Sequence, residues 1–113
     1  MTDISYEDFK KLEMKVGYVI NCAAIPNTDN LYKLMVDCGE KNPRQIVTGM
    51  KKFYTPQDFI HEKIIILTNL ESKKIMGIKS EGMVLAADID GEPVLLKLDS
   101  KKEKKVPPGS KIK

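Results

Sequence analysis

Residues 69–82, NLESKKIMGIKSEG, concentrate the side chains of this chain that could bind a polyanion. Lysines outnumber acids in this segment, and they are Lys73, Lys74 and Lys79. An ammonium group on a flexible stem suits a phosphate, which asks for positive charge and little directional geometry. Gly77 and Gly82 let a ligand approach the backbone, while Asn69 and Ser80 add short hydrogen-bonding groups. The segment therefore predicts phosphate binding.

No set of catalytic or metal-binding residues accompanies these side chains. His61 is the only histidine and lies in the run FIHEK, which offers it no serine or cysteine partner. Asp88 and Asp90 lie in a glycine turn, where aspartate commonly bonds to nearby backbone. Cys22 and Cys38 lack the CxxC spacing of zinc sites. We therefore expect a non-enzyme with no metal and no cofactor. We expect the two thiols to be buried and free, and a disulfide between two neighbouring strands is the alternative.

The composition is that of one globular domain, and we expect residues 1–113 to form it. No apolar run is long enough to span a membrane, and the acidic N-terminus lacks the features of a secretory signal, which predicts a cytoplasmic protein. Residues 101–113 carry six lysines against Glu103, within a net charge of +3. This end of the chain either faces a polyanion or is a solvated lysine tail.

Periodicity predicts mostly strands. Ser5 and Asp8 have the spacing of a capping box, which favours a short helix over residues 6–12. Apolar residues then alternate with a period of two, with Met14, Val16, Tyr18, Ile20 and Cys22 on one face and Tyr32, Leu34, Val36 and Cys38 on the next strand. Further strands are predicted at 45–48, 64–68, 83–87 and 93–98, with one helical turn at Thr55–Asp58.

This order of elements favours an all-β fold, a five-stranded oligonucleotide-binding (OB) barrel with a short N-terminal helix, a helical turn between strands 3 and 4, and a C-terminal extension. Residues 69–82 would then form a surface loop beside the binding face. Ile64 to Leu67 show no polar alternation, so both faces of this strand should be covered, one of them by a second subunit or another element. Met76 and Met83 could contact a base or fill the core, and the core is favoured for Met76.

Several segments carry a resemblance to a known family. In chain order they are residues 15–20, PNTDNLYKLMVDCGE, RQIVTG, NLESKKIMGIKSEGMVLAA and VPPGSKIK. Together they resemble the tRNA-binding domain at the C-terminus of many methionyl-tRNA synthetases, which also occurs as free-standing dimeric tRNA-binding proteins and in endothelial monocyte-activating polypeptide. The resemblance implies RNA contacts at Asn69, Lys74, Ser80 and Met83. It also places Lys33 and Arg44 at matching strand positions, where a solvated strand face is the alternative.

The resemblance further implies a protein that binds the outer corner of tRNA without sequence preference and assists methionyl-tRNA synthetase. It implies a homodimer that meets through Ile64, Ile65, Ile66 and Leu67 and through the extension at about residues 89–113. Two other functions stay open on the same barrel. A secretion-related chaperone would hold unfolded polypeptide on this surface, and an adaptor would dock onto a synthetase.

Overall fold

The computed structural model describes residues 2–113. Its elements, in chain order, are α1 (Tyr6–Phe9), β1 (Met14–Ala24), β2 (Tyr32–Asp37), β3 (Arg44–Thr48), α2 (Pro56–Phe59), β4 (Lys63–Leu67), β5 (Lys73–Ile75), β6 (Ile78–Ser80), β7 (Met83–Val84), β8 (Ala86–Ile89), β9 (Glu92–Leu95), a 3₁₀ turn (Glu103–Lys105) and β10 (Lys111–Ile112). No helix among these described residues is long and apolar enough to cross a membrane.

Five antiparallel strands form a nearly closed barrel in the order β3-β2-β1-β4-β7, and β10 pairs with the start of β1. β1 is 11 residues long, so it can pair with β4 along its first part and with β2 along its second. The predicted all-β OB-type barrel is confirmed, as are the N-terminal helix and the helical turn between β3 and β4. The helix α1 ends at Phe9 and buries no residue, although Ser5 caps it as predicted.

The barrel core follows from alternation in β2, where Tyr32, Leu34 and Val36 are buried as predicted. Phe59 from α2 is fully buried and meets the rings of Tyr32 and Tyr54 edge-on, at centroid distances of 5.9 and 5.7 Å. Edge-on packing is the preferred geometry of aromatic pairs. The short helix α2 thus supplies the large side chain of one end of the core.

The alternation predicted for β1 is wrong in the middle of the strand and correct at Cys22. Val19, predicted on the outer face, pairs with Val36, and both belong to the barrel core, whereas Ile20 is 46% exposed. The pairing of β1 with β2 then shifts register between Val19 and Asn21. An extra residue in one strand exchanges its two faces, because strand side chains alternate with a period of two. The shift therefore returns the predicted face to the core, and Cys22 is buried as predicted.

Residues 69–82 do not form the predicted loop, since most of them belong to the antiparallel hairpin β5–β6. Met76 and Gly77 connect its strands with φ angles of +52° and +79°. Two successive positive φ angles are typical of a type I′ turn, which matches the twist of a hairpin. Met76 is 65% exposed at this tip, so the preference for the core at this position is wrong.

The aliphatic run of β4 is explained within the chain. Ile64 and Ile66 have no exposed surface and belong to the barrel core, and Ile65 is also buried on the other face. Because their side chains are enclosed, Ile64 and Ile66 cannot provide the dimer contact predicted for them. A contact through Ile65, which is 6% exposed on the outer face, or through Leu67, which is half-buried, stays a prediction.

The C-terminal part adds a second hairpin, β8–β9, which forms its own two-stranded sheet. The chain then returns to the barrel, where two glycines make the contact possible. A Cβ on Gly39 would lie 2.7 Å from the carbonyl oxygen of Pro108, and one on Gly109 would lie 2.8 Å from that of Cys38. Only glycines let these two backbone segments approach so closely.

Candidate nucleic-acid interface

An open groove of about 340 Å³ lies between the end of β3 and the β5–β6 hairpin. We call it the β3–hairpin groove. Val47 and Thr48 of β3 form one side, Lys73 and Ile75 of β5 form another, and Leu70 and Met83 complete its apolar surface. Leu70 is 48% exposed and Met83 is 43% exposed, so the groove offers apolar surface to a ligand.

The lysines of the hairpin divide between its two faces. Lys73 is paired with Ser80, and Lys74 is paired directly with Lys79 across the two strands. Neighbouring residues in a strand point to opposite faces, so Lys74 and Lys79 share the face that turns away from the groove. Like charges placed directly opposite each other are unfavourable. No acid within residues 2–113 forms a salt bridge with these three lysines.

Lys33 lies beside the groove, as expected of a binding residue. It is half-buried in β2 and is the cross-strand partner of Val47, which lines the groove. Directly paired residues in an antiparallel sheet point to the same face. Lys33, the hairpin lysines and Met83 are therefore the predicted binding residues that the structure leaves available to a ligand.

Ser80 lines the groove but offers little surface to a ligand, since it is only 6% exposed. Its Oγ accepts a hydrogen bond from the backbone N–H of Val47 at 3.0 Å and donates to the carbonyl oxygen of Gly82 at 3.2 Å. The hydroxyl thus supplies to the N–H of Val47 the acceptor that a further strand would otherwise provide at this edge of β3.

Glu81 continues the same connection. Its backbone N–H donates to the carbonyl oxygen of Gln45 at 2.8 Å, and its Oε1 accepts from the N–H of Gln45 at 3.1 Å. A Cβ on Gly82 would lie 3.0 Å from the carbonyl oxygen of Leu67, so the chain passes close against β4. Ser80 and Glu81 together close the barrel between β3 and the hairpin. The sequence alone assigned Glu81 no role in closing the barrel.

Arg44 is held by protein groups on every side. Its Nε and Nη2 donate to the two carboxylate oxygens of Glu40 at 2.7 and 2.8 Å, and Nη1 donates to the carbonyl oxygens of Thr68 and Glu81 at 2.9 and 2.7 Å. Hydrogen bonds from Arg44 hold the pKa of Glu40 below its usual range. With its planar fork already occupied, Arg44 joins β3 to β4 and to the hairpin rather than offering itself to a phosphate.

Asn69 fastens the N-terminal segment to the barrel. Its Oδ1 accepts from the backbone N–H of Glu13 at 2.9 Å, and its Nδ2 donates to the carbonyl oxygen of Lys11. Thr68 adds a hydroxyl bond to the carbonyl oxygen of Glu13 at 2.8 Å. The amide predicted to contact RNA therefore has both of its polar ends engaged.

The other chemically active side chains lie outside this surface. Cys22 and Cys38 are buried and unpaired with each other, and burial raises the pKa of each thiol to about 11. His61 is exposed and stacks on Tyr18 at a centroid distance of 6.0 Å. Within residues 2–113 no group of three or more histidine, cysteine, aspartate or glutamate side chains could hold a metal ion.

Comparison with known proteins finds relatives that match most of this chain. The family model described as "Putative tRNA binding domain" matches residues 14–111. The chain is 44% identical over 110 residues to a methionine–tRNA ligase of Methanothrix thermoacetophila and 45% identical over 104 residues to one of Pyrococcus horikoshii. These matches cover 97% and 92% of this chain but only 16% and 14% of the two ligases. The chain thus spans a small part of the curated relatives it matches.

Two solved structures are similar over nearly their whole length. A protein related to methionyl-tRNA synthetase from Pyrococcus horikoshii has a TM-score of 0.86 at 33% identity, with 99% of both chains covered. The chaperone CsaA from Bacillus anthracis has a TM-score of 0.84 at 30% identity, with 99% of this chain and all of that chain covered. From the family match over most of its length and from these relatives, the chain belongs to the tRNA-binding domain family.

Proposed function

We propose that this chain is a non-catalytic protein that binds folded tRNA through phosphate contacts of the β5–β6 hairpin. The observation that carries this proposal is the direct pairing of Lys74 with Lys79 on the outward face of the hairpin, without an acid bonded to either within the described chain. A phosphate between the two ammonium groups would relieve their repulsion. The family to which the chain belongs supports tRNA as the source of that phosphate.

Recognition by shape suits this surface better than recognition of a long single strand. Successive bases of a single strand stack on aromatic platforms, each worth ~1–3 kcal/mol. None of the residues that line the β3–hairpin groove is aromatic, and Tyr32 and Phe59 are buried in the core. Lysine contacts to phosphates fix position without reading sequence. We therefore favour the outer corner of tRNA, a folded RNA surface, as the target.

The proposal includes a homodimer that assists methionyl-tRNA synthetase in the cytoplasm. Ile89, Val94 and Leu96 leave apolar surface exposed along the β8–β9 hairpin and the residue beyond it. A second copy would cover this surface, in keeping with the predicted role of residues 89–113. Two linked RNA sites would also raise a weak affinity by avidity. The methionine–tRNA ligases among the relatives support the link to that synthetase.

Salt dependence of binding to bulk tRNA tests the proposal. Between ~50 and ~200 mM salt the parent should lose affinity steeply, because each neutralised phosphate contributes about 0.7–0.9 to the log–log slope. A double variant, Lys74→Ala with Lys79→Ala, should lower that slope by up to about 1.8, which is two phosphate contacts. Its fold should persist, because both side chains are exposed.

Lys10→Ala is the matched control. Lys10 is also exposed, but it directly follows α1, where it pairs with Glu7, and it does not line the β3–hairpin groove. It should therefore keep the slope of the parent. A parent that binds no tRNA would contradict the proposed function, and a double variant with an unchanged slope would contradict the assignment of the two lysines.

A chaperone function is the second candidate, because structures of the chaperone CsaA from two organisms resemble this chain. On this alternative the apolar β3–hairpin groove would hold an unfolded polypeptide. Apolar contacts depend little on moderate salt, so binding of an unfolded polypeptide should stay nearly constant between the same two salt concentrations. Suppressed aggregation of an unfolded protein, together with no tRNA binding, would favour the chaperone.

A further inference from the structure

We propose that the β3–hairpin groove holds one unstacked base of the bound RNA and distinguishes bases that carry an amino group from uracil. This inference rests on the proposed function and adds to it a contact with a base. The hairpin lysines position the backbone on one face, while the groove on the other face receives a nucleotide turned out of its stack. Unstacked bases of loops and bulges are the usual targets of proteins that read RNA.

The two faces of the hairpin differ in what they offer to an RNA. Lys74 and Lys79 point away from the groove, but Lys73 and Ile75 line it. A lysine beside an aliphatic wall complements a single nucleotide. The ammonium group can pair with the negative phosphate, and the wall can pack against the flat ring of the base. Phosphate binding alone would explain the outward lysines, but it would not explain a groove with apolar walls beside them.

The size and exposure of the groove fit a single nucleotide. Its volume of about 340 Å³ lies at the lower end of the roughly 300–1,000 Å³ typical of small-ligand sites. A groove of this size suits one nucleotide rather than an extended polymer. Leu70 and Met83 are each about half exposed there, so a base lying against them would cover apolar surface that water now contacts. The thioether of Met83 is also soft and adaptable enough to pack on a flat ring.

Glu71 would give the groove a preference among bases. It is one of the lining residues, although an acid opposes phosphate binding, and it forms no salt bridge within the described part of the chain. An ionised carboxylate only accepts hydrogen bonds, so it suits the exocyclic amino group of cytosine, adenine or guanine. Uracil has no such group. A carboxylate at this place would therefore favour the amino-bearing bases.

Binding of bulk tRNA to wall variants tests the groove. Leu70→Ala combined with Met83→Ala should weaken binding about fivefold at every salt concentration and leave the salt slope unchanged, because an apolar contact releases no counterions. Met76→Ala is the matched control, since Met76 is exposed at the hairpin tip and does not line the groove. It should bind as the parent does.

Single-stranded 12-mers of cytidine and uridine test the preference, because both are pyrimidines and differ at the amino group. The cytidine 12-mer should compete with tRNA about fivefold better than the uridine 12-mer, and Glu71→Ala should abolish the difference. Equal competition by both 12-mers would overturn the role of Glu71. If the wall variant bound like the parent while the lysine variant lost its slope, the base contact would be wrong and the proposed function would stand. If the parent bound no tRNA, the proposed function itself would fail.

Discussion

Replacing Ser80 with alanine separates a structural role of this residue from a contact with RNA. In the structure its Oγ is the acceptor for the backbone N–H of Val47 at 3.0 Å, and both residues are buried. Alanine keeps the volume of the side chain nearly unchanged but leaves this N–H without an acceptor. The carbonyl oxygen of Gly82 loses its donor as well. The seam between β3 and the hairpin should therefore weaken.

The expected loss follows from the cost of an unpaired buried group. Leaving a buried donor unsatisfied costs about 1–3 kcal/mol. For a chain of 113 residues, an unfolding entropy of about 2.1 cal/mol/K per residue makes 1 kcal/mol equal to roughly 4 °C in melting temperature. Ser80→Ala should therefore melt about 4–12 °C below the parent.

Thermal unfolding by circular dichroism measures this shift, and tRNA binding well below the melting temperature provides the second readout. Ser72→Ala is the control, because Ser72 precedes the same hairpin and is exposed. It should melt with the parent. The folded Ser80→Ala protein should still bind tRNA with the salt slope of the parent. An unchanged melting temperature combined with a loss of binding would refute the structural role and support a direct contact.

Three further predictions concern Asn69, Arg44 and the two buried cysteines. Asn69→Ala should lower the free energy of unfolding by about 0.5–1.5 kcal/mol and speed amide exchange at Glu13, because it removes the bonds that fasten the N-terminal segment. Arg44→Lys should cost about 1–3 kcal/mol in urea unfolding, because a single ammonium group cannot replace four directed bonds. Cys22 and Cys38 should resist iodoacetamide until the protein unfolds, because burial raises each thiol pKa from 9.0 to about 11. Their contribution to stability should be complete below pH 9.0 and be lost as the pH rises through about 11, which urea unfolding at several pH values measures.

Local patterns predicted the elements whose signals are local. The alternation of β2 and the caps at Ser5 and Thr55 depend on residues within a few positions of each other, and the structure contains all three features. The core face of β1 depends instead on the pairing of Val19 with Val36 and on the register shift that follows it, neither of which period-two counting in one strand can detect. Apolar residues at both Val19 and Ile20 left the pattern compatible with either face.

The hairpin at residues 73–80 had a local signal in the sequence. Ile75 and Ile78 flank the dipeptide Met76–Gly77, and a glycine between two apolar strand residues is typical of a tight hairpin turn. The loop was predicted instead from the place of these residues between strands of an OB barrel. The structure shows that the same residues form a regular element, which fixes where the lysines point.

The candidate site could be predicted only in part, because its hydrogen bonds join residues far apart in sequence. Ser80 is 33 residues from its partner Val47, and Asn69 is 56 residues from Glu13. Nothing local to Ser80 or Asn69 distinguishes a side chain bonded to distant backbone from one that contacts RNA. The exposure of the hairpin lysines could be predicted, because a solvated charge needs no partner within the chain.

A loss of tRNA binding in a variant of this chain is therefore not by itself evidence of contact. Ser80, Glu81 and Arg44 attach the hairpin to the barrel, so a change at any of them would loosen the hairpin without removing its lysines. Such a variant would bind less tightly even if RNA never touched the altered residue. The salt slope separates the two causes, because it counts the phosphates neutralised and falls when a contacting charge is lost, whereas a loosened hairpin keeps its charges and melts at a lower temperature. Binding measured together with melting temperature and slope therefore distinguishes the residues that build this surface from those that contact RNA.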